Sequence, residues 1–192
     1  MLGLTEGPII FEPIIQDRNQ ELSVESADLL GKLLVQHQAS LFDDFYFLPS
    51  DDPAQQVLKT VKTRHPYFWL VRFNHQPAGF LYLDNWYGRA DKPYSCDAHI
   101  MFDRVFWGNP KIEVACHLLI DYLFEQMGLF RITCWVATKN VPAVRLLQRL
   151  GFVREGKARG RVMVKGQPQS EYLYGMIRPD YFNRANALQK AT

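Results

Sequence analysis

Residues 140–156 read NVPAVRLLQRLGFVREG, and this stretch sets the terms for the rest of the chain. A short helix over residues 140–150 is stopped by Gly151, a residue suited to the left-handed conformation at a helix C-terminus, and Phe152 to Glu155 begins a strand. Working outward toward the N-terminus, residues 130–137 read as a strand. Residues 111–127 form an apolar-periodic helix carrying Val114, Ala115, Leu118, Leu119, Tyr122 and Leu123. Ahead of it, residues 94–103 (YSCDAHIMFD) are extended and lead into WGNP. YFWLVRF at 67–73 and AGFLYLD at 78–84 make an antiparallel hairpin turned by residues 74–77. Toward the C-terminus, 159–164 and 171–177 are two more extended segments, and a terminal helix follows from Asp180. At the N-terminus, Leu22, Leu29, Leu30, Leu33 and Leu34 predict a helix within residues 19–41. Ser50, Asp51 and Asp52 before Pro53 cap a second helix reaching about Lys62. Two helices, a meander, then β-α-β-α-β-β is the order of a mixed α/β domain with a partly antiparallel sheet.

Length and composition fit that order. The chain has 192 residues, 47% hydrophobic and 14% aromatic, enough apolar area to offset the entropy of ordering one domain. Lys and Arg number 22 against 20 Asp and Glu, a formal charge of +2, so no global field draws the chain to nucleic acid or to an acidic membrane. No run approaches the roughly 20 apolar residues that cross a bilayer, and the first residues lack the basic start and apolar run of a signal peptide, so the expected location is the cytoplasm. Cys96, Cys116 and Cys134 have no paired-ligand spacing and read as buried thiols, with no metal site expected. Arg154, Lys157, Arg159, Arg161 and Lys165 make a basic hairpin whose favoured reading is a solvated surface. Tyr82, Trp86 and Tyr87 read as core or rim of a groove.

Asn140, Leu150, Gly151, Phe152, Glu155, Gly156, Arg159, Tyr174, Gly175 and Arg178 together resemble the second half of the GCN5-related N-acetyltransferases, above all the branch that acetylates protein N-termini and small amines. There an Asn opens a short helix, L-G-F closes it, E-G follows on the next strand and Y-G-x-x-R ends the last. The resemblance runs from about Tyr67 to Arg178. It implies a mostly antiparallel sheet of about seven strands, flanked by helices and splayed between the fourth and fifth, here residues 98–103 and 130–137. It implies one domain over 1–192, with N-terminal helices on the acceptor side (1–66), a core (67–178) and a C-terminal helix (179–192). It further implies acetyl-coenzyme A as cosubstrate, its pantetheine arm in the gap and its pyrophosphate on the loop and helix N-terminus after the fourth strand, where backbone N–H groups and the helix dipole favour anions. The cofactor-binding residues would be Met101, Phe102 and Asp103 on the strand, Gly108, Asn109, Lys111 and Ile112 in the loop, and Asn140 opposite. A backbone N–H from about Met101 to Asp103 would receive the acetyl carbonyl.

Two departures bear on activity. The loop reads Val105, Phe106, Trp107, Gly108, Asn109, Pro110, so only its first Gly fits the family's pattern; Pro110 removes a donor and Glu113 brings a negative charge. Asn109 and Pro110 also make a good helix start without any ligand. Where the family often places a Tyr or Ser to protonate the leaving thiolate, this chain has Leu147 and Ala143, leaving that proton to water. Candidate bases are Asp97 and His99, which period two puts on one strand face opposite Ile100 and Phe102, with Asp84 on the preceding strand as a third. Cys134 reads as a buried, inert thiol. The expected function is direct transfer of acetyl to a primary amine, on a protein N-terminus or a small molecule. The rival is a catalytically idle domain of the same fold used for binding or structure, for example in a bacteriophage. No membrane or nucleic-acid partner is expected, and a homodimer is left open.

Overall fold

The computed structural model describes residues 5–15, 19–37, 59, 61–89, 92–164 and 166–189. In chain order these form β1 (Thr5–Glu6), β2 (Ile9–Pro13), α1 (Val24–His37), β3 (Phe68–Phe73), β4 (Gln76–Arg89), β5 (Lys92–Phe102), α2 (Pro110–Asp121), β6 (Arg131–Ala137), α3 (Val141–Leu150), β7 (Val153–Val164), β8 (Gln167–Ile177) and α4 (Arg178–Gln189). The eight strands make one sheet in the order β1-β2-β3-β4-β5-β6-β8-β7. Every pairing is antiparallel except β5 with β6. The architecture is the mixed, mostly antiparallel one expected, with a longer N-terminal edge. Ile9 to Pro13 pair with Phe73 to Trp69, so the first residues contribute strands where only helices were expected. The segment IIFEP has three apolar residues in a row and ends on a proline, so it shows no period-two alternation.

Both faces of the sheet are covered at its centre, which is why β3 and the first half of β4 read as almost unbroken apolar runs, while β7 is polar and largely exposed. On one face Leu29, Leu30 and Leu33 of α1, with Val61, pack on Phe68, Leu70, Phe80, Tyr82 and Met101. A fully buried leucine contributes roughly 1.5–3 kcal/mol relative to exposure, and the stripe at i, i+1 and i+4 orients α1. The helix begins later than expected, where Ser23 Oγ accepts the Ser26 N–H at 3.1 Å; residues 38–41 lie outside the described residues. So do the caps of the second helix at 50–53, although residues 61–64 are helical. On the other face Ala115, Cys116 and Leu119 of α2 and Leu146, Leu147 and Leu150 of α3 pack on Leu81, Leu83, Ile132 and Val136.

Local chemistry sets the remaining boundaries. Asn74 and His75 both have positive φ, 50° and 66°, making a tight two-residue turn that suits right-twisted strands, so Gln76 and Pro77 already belong to β4. Helix α2 ends at Asp121, and a π-type turn over Tyr122–Gln126 replaces the last part of the expected helix. The strand begun at Phe152 to Glu155 and the segment 159–164 are one strand, β7, interrupted by bulges, and 171–177 falls in β8. The feature that shapes the site is a short parallel pairing: β5 meets β6 only at Ser95, Cys96 and Asp97, opposite Arg131, Ile132 and Thr133. Beyond Asp97 the two strands part.

Candidate active site

The gap between β5 and β6 opens into a cleft of about 810 Å³ lined by both strands, the loop before α2 and one side of α3. Which backbone groups of β5 face it follows from the ladder. The Asp103 N–H donates to the Ala78 carbonyl at 2.9 Å, and bonded and non-bonded pairs alternate in an antiparallel ladder. Met101 and Asp103 therefore spend their amides on β4, while the amides of Ala98, Ile100 and Phe102 point to the cleft side. Of the three strand residues expected at the cofactor, Met101 and Phe102 line the cleft, and only Phe102 turns its amide toward it. Asp103 is a structural residue: buried, it pairs with Lys32 of α1 and its Oδ1 accepts the Val105 N–H at 3.2 Å. Of the three cleft-side amides, that of Ala98 is turned to the Cys134 sulfur; at Phe102 it is the carbonyl, not the amide, that accepts from Trp107 Nε1 at 3.0 Å. The Ile100 amide lies between them.

Asp97, His99 and Asp84 are brought together on the α1 side of the sheet, with one donor atom of each within 4.8 Å of the others. His99 Nε2 lies 2.8 Å from Asp84 Oδ1 and donates to it, since an ionised carboxylate only accepts. Arg64 holds the other Asp84 oxygen through Nε at 3.0 Å and Nη2 at 2.9 Å. The imidazole stacks on Tyr82 at 4.5 Å between centroids. Asp97 is only 8% exposed and accepts from Asn85 Nδ2 at 3.0 Å. Burial pushes its carboxyl above the ordinary carboxylate value, while Asn85, His99 and Arg161 pull it back. A carboxylate disposed to take a proton is thus set beside an imidazole. Burial also pushes the Cys134 thiol well up, against a smaller pull from the Ala98 amide, consistent with an unreactive sulfur.

At the loop, the helix-start chemistry is realised: Asn109 Oδ1 accepts the Lys111 N–H at 2.9 Å, its carbonyl accepts the Ile112 N–H at 3.1 Å, and Pro110 opens α2. The Lys111 and Ile112 amides are therefore engaged within the loop. Gly108, Asn109 and Ile112 line the cleft and Lys111 does not. The charge on Glu113 is met by Arg149 of α3, Nε to Oε2 at 2.8 Å. Arg145 and Arg149 both line the cleft and are the cations a phosphate would meet; their spacing of four on the cleft side of α3 is the signal that would have found them. Asn140 is at the cleft rim, where its Oδ1 caps α3 by accepting the Ala143 N–H at 3.3 Å. Ala143 and Leu147 line the cleft without a proton to give.

The remaining signature residues build the frame. Arg131 on β6 grips Glu155 on β7 through both terminal guanidinium nitrogens, and that pair crosses directly over Gly175, where a β-carbon would sit 2.5 Å from Glu155 Oε1 and 2.8 Å from Arg131 Nη2. Arg178 ties α4 to the turn after α2 by donating to the Phe124 carbonyl at 2.9 Å. Tyr82, Trp86 and Tyr87 do not form one cluster: Tyr82 is buried, Trp86 packs on Tyr67 on the other face, and Tyr87 is exposed.

A sheet split by diverging parallel strands, with strand amides and a helix start on one cleft, defines a class of acyl-coenzyme A-dependent transferases. Residues 27–153 match the acetyltransferase (GNAT) domain, and the chain belongs to that family. It is 26% identical over 168 residues to the putative ribosomal N-acetyltransferase YdaF of Bacillus subtilis (strain 168), covering 83% of this chain and 90% of that protein. To the uncharacterized N-acetyltransferase p20 of Bacillus licheniformis it is 32% identical over 103 residues, about half of either protein (54% of each). The fold matches that of RimL, a ribosomal L7/L12 alpha-N-protein acetyltransferase solved with coenzyme A, at a TM-score of 0.68 and 14% identity over 90% of this chain and 95% of that one. Acetyl-coenzyme A is the cosubstrate of this family, and residues present suit it: cleft-facing amides on β5 and two arginines of α3 on the cleft wall. Among the described residues no helix is long and apolar enough to cross a membrane.

Proposed function

We propose that the protein is an N-acetyltransferase acting in the cytoplasm, which moves acetyl from acetyl-coenzyme A directly to a primary amine on a protein N-terminus or a small molecule. The observation that carries the reading is that the β5 strand edge exposed beyond Asp97 and the Asp84–Asp97–His99 network are two sides of one strand. The amine nitrogen attacks the thioester carbon, the C–N bond forms and the C–S bond breaks. The Ile100 amide faces the position where charge develops on the carbonyl oxygen. Asp97 takes the proton shed by the amine, and water supplies one to sulfur, since Ala143 and Leu147 have none. Arg145 and Arg149 hold the phosphates. The names of YdaF and RimL favour a ribosomal protein N-terminus among the acceptors.

One observation favours the idle reading: the loop amides of Lys111 and Ile112 are already bonded to Asn109. Calorimetric titration with acetyl-coenzyme A, followed by mass spectrometry on a panel of free-N-terminus peptides and small primary amines, separates the two. Micromolar binding with acetylation of at least one amine is expected. No binding at millimolar ligand overturns the proposal, and binding without transfer to any amine favours the idle domain.

A further inference from the structure

Strand β4 carries one residue too many at the site. Asp84 pairs with Asp97 and the next pair is Tyr87 with Ser95, so three steps on β4 oppose two on β5. The extra residue is Asn85, whose φ of 47° lies in the left-handed region that Asn tolerates better than any residue but Gly. In a regular strand residues 84 and 85 would point to opposite faces. Here the bulge turns both to the same one: Asp84 reaches His99 at 2.8 Å and Asn85 reaches Asp97 at 3.0 Å. Trp86 is thereby returned to the other face, against Tyr67 at 4.6 Å. Two neighbours on β4 thus hold two groups spaced i, i+2 on β5, an arrangement a bulge gives and an unbroken strand does not.

We propose that Asn85 is a positioning residue for Asp97, its amide fixing the carboxylate toward the cleft so that it can take the proton of the acceptor amine. The choice of a neutral donor has a chemical reason. Facing Asp97 are Asp84 from β4, His99 and Cys96 from its own strand, Arg131 and Cys134 from β6, and Arg161 from β7. The cations are committed elsewhere, Arg131 to Glu155, and Arg161 to Glu171 and the Trp135 ring. A cation bonded directly to Asp97 would hold it ionised and strip its basicity. An amide orients the same oxygen, favours the charged form modestly, and leaves it able to accept a proton.

The proposal rests on the acetyl-transfer reading, and the experiment keeps the two apart. Asn85→Gly preserves the left-handed backbone and removes the amide; Asn85→Asp keeps the size and substitutes a second carboxyl. Asp97 is titrated by carbon-13 NMR in protein labelled at the aspartate carboxyls, assigned with Asp97→Asn, and the pH dependence of kcat/KM is measured on an amine acetylated by the wild type. Asn85→Gly is expected to raise the Asp97 midpoint by about one pH unit, and Asn85→Asp by more. The acid limb of kcat/KM should follow by the same amount, a loss of about tenfold below it, with the KM for acetyl-coenzyme A unchanged. A midpoint and limb that stay put in both variants overturn the positioning role while leaving the enzyme intact. A wild type that acetylates nothing defeats the acetyl-transfer reading instead.

Discussion

Gly79 sits in β4 opposite Phe102 of β5, at the root of the strand edge that lines the cleft, and replacing it with alanine tests whether that edge is held by backbone contact. A β-carbon at residue 79 would lie 2.2 Å from the Met101 carbonyl oxygen and 2.8 Å from the Phe102 α-carbon, where non-bonded carbons settle near about 3.5–4.0 Å. Both atoms are main chain, so no rotamer relieves the contact, and the two strands have to part by about an ångström. Overpacking costs about 1–3 kcal/mol, and with backbone on the far side Gly79→Ala should fall at the top of that range. For a chain of this size that is a loss of about 6–12 °C in Tm. Because the Phe102 amide faces the cleft, an ångström of displacement should also cut kcat/KM by up to about a hundredfold. The same chemical change at Gly31, in α1 with nothing within 4 Å of the added carbon, should instead stabilise by about 0.5–1 kcal/mol. Thermal melts of both variants followed by circular dichroism decide it. The reasoning fails if Gly79→Ala melts within about 2 °C of wild type, or if the two alanines shift Tm in the same direction.

Asn140→Ala removes the cap on Ala143 and should cost about 1 kcal/mol, or about 2–4 °C in a thermal melt; an unchanged Tm would mean the cap is idle. Asp97 has its folded pKa raised by burial, so the stability it contributes is present below the unfolded pKa and lost as pH rises through the folded one. Asp97→Asn should therefore melt higher than wild type at neutral pH, with the gap closing in acid, while kcat/KM drops by about 10²–10⁴; equal melts across that range would refute the sign. Burial pushes the Cys116 thiol up to about 12 and the Cys134 thiol well up, so at about pH 8 iodoacetamide should label the native protein slowly and the denatured protein fast. Rapid labelling of native Cys116, read by peptide mass mapping, would contradict its burial.

How much of this was legible before the structure depends on the range over which each residue acts. Gly151 closes α3 with φ 90°, and Asn109 with Pro110 starts α2; these are local events that a few neighbouring letters encode. Glu155 and Gly175 are legible for another reason: with Arg131 they form a joint with no substitute, since the Arg131–Glu155 pair passes where only a glycine leaves room. The split between Asp97 and His99 on one side and Phe102 on the other followed from period two and holds. What the sequence leaves open at the site depends on which element lies next door. Whether an amide of β5 faces β4 or the cleft is a matter of ladder phase, which no letter of β5 carries, so the sequence cannot tell the amide of Phe102 from those of Met101 and Asp103. Likewise Glu113 is unfavourable beside a phosphate until Arg149 arrives from α3, 36 residues away.

The bulge at Asn85 shows where the two kinds of information meet. Its signal is local, an Asp-Asn step at the end of an aromatic strand, but its meaning depends on the partner, because only the register with β5 tells which face gains the additional side chain. The residues that carry the family pattern sit at the β6–β7–β8 joint and the helix starts, whereas Asp84, Asn85 and Arg64, which surround His99 and the carboxylate proposed as the base, fall outside that pattern. A frame held by one set and a reacting face built by another can keep its cosubstrate while the acceptor changes. The acceptor is therefore to be sought by varying what lies beside the bulge, since changes at the signature residues would disturb the sheet before they altered the choice of amine.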